Sequence, residues 1–227
     1  MQAILYDIHG NLPALDAVLA DAEAQGAARF QLGGDYAAFG AWPAECVARL
    51  EALPDAAWIR GNWERWQTDR SAAPDAPVVQ GAAAAVIAAL GDDVVARLGA
   101  LPETAEHDDT LFCHASPGSD MDPILPEPSE DDDQLLHGVT APRVVFGHTH
   151  LQFRRRSAGG IELVNPGSVG LPWDGDRRAA YALLGDDGIE LRRVEYDVEV
   201  AAGALDGIDE PWARTTAERL RRARFDV

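Results

Sequence analysis

The chain contains no lysine: its 19 basic residues are all arginine, set against 38 Asp and Glu, for a formal net charge of −19. So acidic a surface disfavours binding to duplex nucleic acid without sequence preference, and docking on anionic lipid, because both rest on clustered cations. It also means that an anionic substrate needs a local positive centre. Cysteine is nearly as scarce. Cys46 and Cys113 fit neither CxxC nor zinc-finger spacing and read as reduced small hydrophobes, so a disulfide scaffold is excluded. No apolar run approaches the roughly 20 residues that span a bilayer. No basic start with an apolar stretch and a small-residue cleavage site precedes the first hydrophobic segment. The expectation is a soluble, cytoplasmic protein without a membrane partner. Gly33-Gly34 lacks both Gly-x-Gly-x-x-Gly and a P-loop lysine, which removes the common nucleotide-binding loops.

What is present is a globular composition, 47% hydrophobic and 25% charged, with no linker that separates two domains. Residues 1–227 therefore read as one domain. Met1 to Tyr6 predicts a buried strand, Leu12 to Gln25 a helix stopped by Gly26, Phe30 to Leu32 a second strand, and Ala56 to Arg60 a third. Pro43 opens the helix between the last two. This alternation implies parallel strands with helical crossovers, an α/β arrangement. Pro77 to Leu101 is helical with a break at Gly91-Asp92, and Thr110 to Cys113 is a strand. Ser116 to Asp133, rich in proline and acids, is a long loop of functional type and a candidate for substrate selection, with Trp173 nearby in role. Val144 to Phe146, Leu151 to Arg156, Ile161 to Val164, Ala179 to Leu184 and Ile189 to Val194 read as strands, with hairpin turns at Gly159-Gly160 and Asp187-Gly188. A helix from about Pro211, with arginines in its last turns, closes the chain.

Polar residues end these strands with regularity. Asp7, Asp35, Asn62, His114 and His148 each stand at or just past the carboxyl end of a predicted strand, where ligands of open α/β sheets collect. Asp7 and His9 are two apart, as are His148 and His150, so each pair can grip one ion. Taken singly, Asp7, Asp35 or Asn62 is ordinary turn or cap chemistry and His114 a packed core histidine; the joint pattern points to a metal. Four of the six histidines belong to it, leaving His107 and His137 as surface or packing residues. Oxygen and imidazole donors without thiolates suit Mn²⁺, Fe²⁺, Ni²⁺ or Zn²⁺. Two ions sharing a carboxylate, roughly 3.5–4 Å apart, bind both the attacking and the leaving oxygen of a phosphate and acidify a bridging water. They would also offset the repulsion of a −19 chain for phosphate. Arg154-Arg155-Arg156 reads as a solvated strand edge and Glu130-Asp131-Asp132-Asp133 as a solvated helix start.

With these residues in place the chain resembles the calcineurin-like metallophosphoesterases. The family's blocks are matched in order by Asp7-Ile8-His9, Gly34-Asp35, Gly61-Asn62-Trp63-Glu64, His114 and Gly147-His148-Thr149-His150, spanning Met1 to about Pro172. Gly34-Asp35-Tyr36-Ala37-Ala38-Phe39-Gly40 and Asn165-Pro166-Gly167-Ser168-Val169-Gly170 are similar to the small bacterial and archaeal phosphodiesterase branch. The resemblance implies a four-layer αββα sandwich, two mixed sheets flanked by helices. It implies two divalent ions, Mn²⁺ first, with Fe²⁺, Ni²⁺, Zn²⁺ or Mg²⁺ as alternatives. Asp7, His9 and His150 would hold one; Asn62, His114 and His148 the other; Asp35 would bridge. Asn11, and Asn62 as well, would help place phosphate. One position departs: Trp63 replaces a family histidine often assigned to transition-state stabilisation or to protonating the leaving oxygen, and an indole cannot act as an acid at neutral pH. The expected activity is metal-dependent hydrolysis of small phosphodiesters, with nucleotides among the substrates. The alternatives are a phosphomonoesterase or nucleotidase, with Trp42, Trp63, Trp66 and Trp173 as stacking surfaces, or a non-catalytic protein-binding scaffold on the same fold. The small phosphate ester is the expected partner; a homo-oligomer is left open.

Overall fold

In the computed structural model, which describes residues 1–226, the apolar opening of the chain forms β1, Gln2–Leu5, buried along its whole length. Helix α1, Leu12–Ala24, follows. Asn11 caps it by accepting the Ala14 N–H, Pro13 sits in the first turn where a missing N–H costs nothing, and Leu15, Val18, Leu19 and Ala22 form its buried stripe. β2, Arg29–Leu32, and β3, Ala56–Trp58, add in parallel, with α2, Pro43–Glu51, as the crossover between them. Late in the chain β9, Ala179–Gly185, pairs antiparallel with the free side of β1, and β10, Gly188–Val194, pairs with β9. The first sheet is thus β10-β9-β1-β2-β3.

The second sheet, β4-β5-β6-β8-β7, has a parallel centre of β5, Thr110–Cys113, β6, Arg143–Val145, and β8, Glu162–Asn165. Its antiparallel edges are β4, Thr104–His107, and β7, Phe153–Arg156. Ile4, Tyr6, Phe112, Val145, Val164 and Ala182 make the core between the two sheets. Over the outer face of the first sheet lie α1, α2, α4 (Pro77–Leu90), α5 (Asp92–Gly99), α7 (Val198–Asp206) and α8 (Pro211–Arg222). The outer face of the second is covered more thinly, by α6, Asp132–Leu135, and the loop before it, which lay Ile124 and Leu136 on Phe146 and Leu163. This is the α/β sandwich of two mixed sheets with helical outer layers. No single helix among the described residues is long and apolar enough to cross a membrane.

Four elements go beyond the sequence expectations: β4, α7, the short helix α3, Asn62–Thr68, and the single 3-10 turn Arg70–Ala72 that follows it. β3 ends at Trp58 rather than Arg60, and β7 starts at Phe153 rather than Leu151. The arginine run and the acidic run are also not both solvated, because they meet. Arg155, only 10% exposed, makes a two-pronged pair with buried Asp132 at 2.6 and 2.8 Å. Arg154 and Arg143 converge on Glu162. The edge strand therefore clamps the loop and α6 onto the second sheet.

Candidate metal centre

Every strand that points at the seam between the sheets releases a polar residue there: Asp7 and His9 after β1, Asp35 after β2, Asn62 opening α3 after β3, His114 after β5, His148 and His150 after β6. Five of them hold left-handed backbone, with φ of 54° at Asp7, 50° at His9, 57° at Asp35, 65° at His148 and 58° at His150. Each such residue costs on the order of 1–3 kcal/mol and persists only where the surroundings enforce it, most often at functional sites. Close approach matters too. A β-carbon on Gly61 would stand 2.2 Å from Asp35 Oδ1 and 2.8 Å from His114 Cε1, so only glycine lets the two loops meet.

The seven side chains converge. His9 Nε2 lies 3.1 Å from His150 Nε2, and Asp7 Oδ1 is 3.9 Å from the former and 3.5 Å from the latter. On the other side His114 Nε2 is 2.9 Å from Asn62 Oδ1, which is 3.1 Å from His148 Nδ1. Asp35 Oδ2 faces both groups, 3.9 Å from His9 Nε2 and 3.4 Å from His114 Nε2. Asp7 Oδ1 also reaches His114 at 4.0 Å.

The donor chemistry fits a cation. His9 Nδ1–H donates to the Ala38 carbonyl, His150 Nδ1–H to that of Leu171 and His114 Nδ1–H to that of Gly33, at 3.0, 2.5 and 2.8 Å. A carbonyl only accepts, so each of these rings, when neutral, turns the lone pair of Nε2 inward. The Asp7 Oδ1 atom is buried and has no hydrogen-bond partner among the described residues. Lone pairs facing lone pairs, and an orphaned anionic oxygen, are reconciled only by positive charge between them, either protons or metal ions.

Without metal the site compensates with protons. Burial opposes charge on His114, yet the carboxylates of Asp35 and Asp7 outweigh it and raise its pKa to about 10. Burial, and then neighbouring imidazoles, lower His9 and His148 to about 4. Burial also works against ionised Asp7 and Asp35, but their histidine neighbours prevail and hold both below the usual carboxylate range. Glu64 is a functional residue whose role the sequence reading missed. Fully buried, it accepts the backbone N–H groups of Gly61, Asp35 and Tyr36 at 2.8, 2.9 and 3.0 Å, tying the two loops that deliver Asp35 and Asn62. Burial, then the charge of Asp35, pushes its pKa up to about 7. A glutamate three residues past Gly61, the N-cap of α3, is the acidic half of a capping box and was available to find it.

The other expected residues fall outside the cluster or take different work. Asn11 is buried, and both ends of its amide are engaged: it caps α1 and donates to Gly170 O and Tyr196 Oη. Trp63 donates its backbone N–H to Asp35 Oδ1, and its ring packs edge-on against Phe39 and Trp66. Trp173 stacks on His150 with centroids 3.7 Å apart. Trp42 does not line the cavity beside the cluster, and neither does any residue of the loop 116–133, which is held to α3 by Asp120 and Arg65. His107 stacks on Phe112 and bonds Gln31 at the opposite end of β5 from His114; His137 is exposed. The two cysteines are buried and unpaired.

A family model, the calcineurin-like phosphoesterase superfamily domain, matches residues 1–187. The chain belongs to this family. As a calcineurin-like phosphoesterase it is a hydrolase of phosphate ester bonds; the family works with divalent metals, and this phosphoesterase carries two groups of side chains placed to hold them, Asp7–His9–His150 and Asp7–Asp35–His114. It is 30% identical to uncharacterized protein MJ0912 of Methanocaldococcus jannaschii over 88% of this chain and 90% of that one. Among solved structures it resembles a metallophosphoesterase from Sphaerobacter thermophilus, with TM-score 0.84, 26% identity and 98% of each chain covered. Its fold also matches hypothetical protein PH1004 of Pyrococcus horikoshii, with TM-score 0.84, 20% identity, and 97% and 98% covered.

Proposed function

We propose that the chain, as a single domain over residues 1–227, hydrolyses small phosphodiesters at a dinuclear centre. Asp7, His9 and His150 would hold one ion, Asn62, His114 and His148 the other, and Asp35 would be shared between them. The observation that carries this reading is the meeting of seven buried or part-buried donors, their lone pairs turned on one another, with Asp35 Oδ2 within 4 Å of an imidazole on either side. Mn²⁺ is the first choice of metal for oxygen and imidazole donors, with Fe²⁺, Ni²⁺, Zn²⁺ and Mg²⁺ behind it. Bound there, the ions supply Lewis-acid charge for the phosphoryl oxygens and a water acidified towards neutrality.

The chain's own residues orient and exclude. Glu64 fixes the Asp35 and Asn62 loops against each other, and the Ala38, Leu171 and Gly33 carbonyls hold three imidazoles in the ligating tautomer. None of them protonates the leaving oxygen. Among the described residues, every acid and histidine that lines the cavity is also a proposed ligand, and Arg219, its remaining titratable group, keeps its proton. Trp63 offers no acid, so esters with good leaving groups are preferred. A scaffold role is disfavoured because no ligand position is lost; phosphomonoesters are the second substrate class, and duplex nucleic acid is not a partner for so acidic a surface. The test is metal-depleted protein reloaded with single divalent ions and assayed on diesters, monoesters and nucleotides. Two bound ions with no turnover on any of them would favour the scaffold.

A further inference from the structure

We propose that the cavity opening from the metal centre is a nucleobase subsite, and that the physiological substrates are nucleotide esters; this rests on the phosphoesterase reading of the same centre. The cavity, about 450 Å³, begins at His9, Asp35, Asn62, His148 and His150 and runs outward between aromatic walls. That volume lies in the range of small-ligand sites. Trp63 and Trp66 of α3 form one side, Trp173 and Phe225 another. Phosphate alone makes no use of such walls. Phe225 packs against Trp173, with ring centroids 4.8 Å apart, yet remains 55% exposed at the mouth of the cavity.

One further observation distinguishes a base from a hydrocarbon tail. Arg219 is the one cation lining the cavity, and no ion pair engages it among the described residues. Its Nε donates to the Phe225 carbonyl at 3.0 Å and its guanidinium lies 4.1 Å over the Phe225 ring, a plane against which a base can stack. Arg219 and Phe225 lie beyond residues 1–187, the stretch that the family model matches, whereas Trp173 lies within it.

The test compares adenosine 5′-phosphate with ribose 5-phosphate on the metal-loaded full chain, by calorimetry and tryptophan fluorescence. The base should tighten binding by about tenfold or more. In Arg219→Ala and Phe225→Ala, both at the cavity rim, the ratio of the two affinities should fall towards one. Adenosine, which has no phosphate, should quench the fluorescence saturably even in metal-free protein, a result that would survive failure of the phosphoesterase reading. Equal affinity for the two phosphates in the unaltered protein, or tighter binding of hexyl phosphate than of adenosine 5′-phosphate, would overturn the assignment.

Discussion

An ion that enters the His114 side of the centre must displace a proton, so its affinity should rise with pH. Nδ1 of His114 is committed to Gly33 O, which leaves Nε2 as the ligating atom, and it is on Nε2 that the proton sits. Burial resists that proton, but Asp35 and then Asp7 hold it with a pKa of about 10. His9 and His148, at about 4, are already neutral and release nothing. Glu64, pushed up to about 7 by burial and Asp35, adds a second proton in acid, since a dication beside Asp35 favours its charged form. The logarithm of affinity should therefore climb with a slope of about one from pH 8 to 9.5, approach about two below pH 6, and flatten above about 10. Between pH 7 and 9 this amounts to roughly a hundredfold, or about 3 kcal/mol. Chelator competition across pH measures the slope, and calorimetry in two buffers of different ionisation enthalpy counts the proton. Affinity that stays flat from pH 7 to 9, or binding without proton release, would refute the reasoning. Linkage carries the same sign into stability. The folded pKa of His114 exceeds its unfolded value of 6.5, so its stabilisation of the metal-free protein is complete below 6.5 and is lost as pH rises through about 10. In the metal-loaded protein that loss should vanish from a thermal melt.

Asp35→Asn, which removes the shared charge, should cost one of the two ions by elemental analysis and abolish hydrolysis. Trp63→His should raise the rate on esters with poor leaving groups, up to the roughly 10²–10⁴-fold that a general acid supplies, while the lost indole packing lowers stability by about 2–4 kcal/mol in denaturant melts; an unchanged rate would count against the missing-acid explanation. Gly61→Ala pushes a methyl group onto Asp35 Oδ1 and His114, and metal affinity should fall together with about 1–3 kcal/mol of stability. Arg155→Met strands the buried Asp132 carboxylate and should cost about 3–5 kcal/mol, most of it recovered in the double variant with Asp132→Leu.

The ligand positions were legible because they follow a rule of the fold: strands of period two run into loops at one edge, and oxygen or imidazole donors at those ends stand out against apolar runs. What was hidden has physical reasons. β4 alternates exposed and half-buried residues without a hydrophobic signature, and it is joined to β5 by Asp108-Asp109, both with positive φ, a turn that asparagine or glycine announces more openly. α3 is seven residues long and carries Asn62 and Glu64 on its buried side, so no apolar stripe marks it. The pairing of Arg155 with Asp132 joins two charge runs that local reasoning sends separately to solvent. The cavity walls come from α3 and the chain's end, a juxtaposition created by packing; Trp63, Trp66 and Trp173 were singled out from the sequence as stacking surfaces and do line it, whereas Trp42 and the 116–133 loop, to which substrate selection was assigned, do not, and Arg219 and Phe225 were not anticipated.

The centre is assembled across a seam. Asp7, His9, Asp35 and Asn62 issue from the first sheet, and His114, His148 and His150 from the second. No half of the protein contains a complete set, so the site exists only after the sheets have docked. An ion that binds it acts as a clasp between two halves, and its binding energy is added to their docking. Metal uptake during refolding should then mark the closing event of the pathway, later than the formation of either sheet, and chelation should loosen hydrogen-exchange protection first along the inter-sheet core around Tyr6 and Val145.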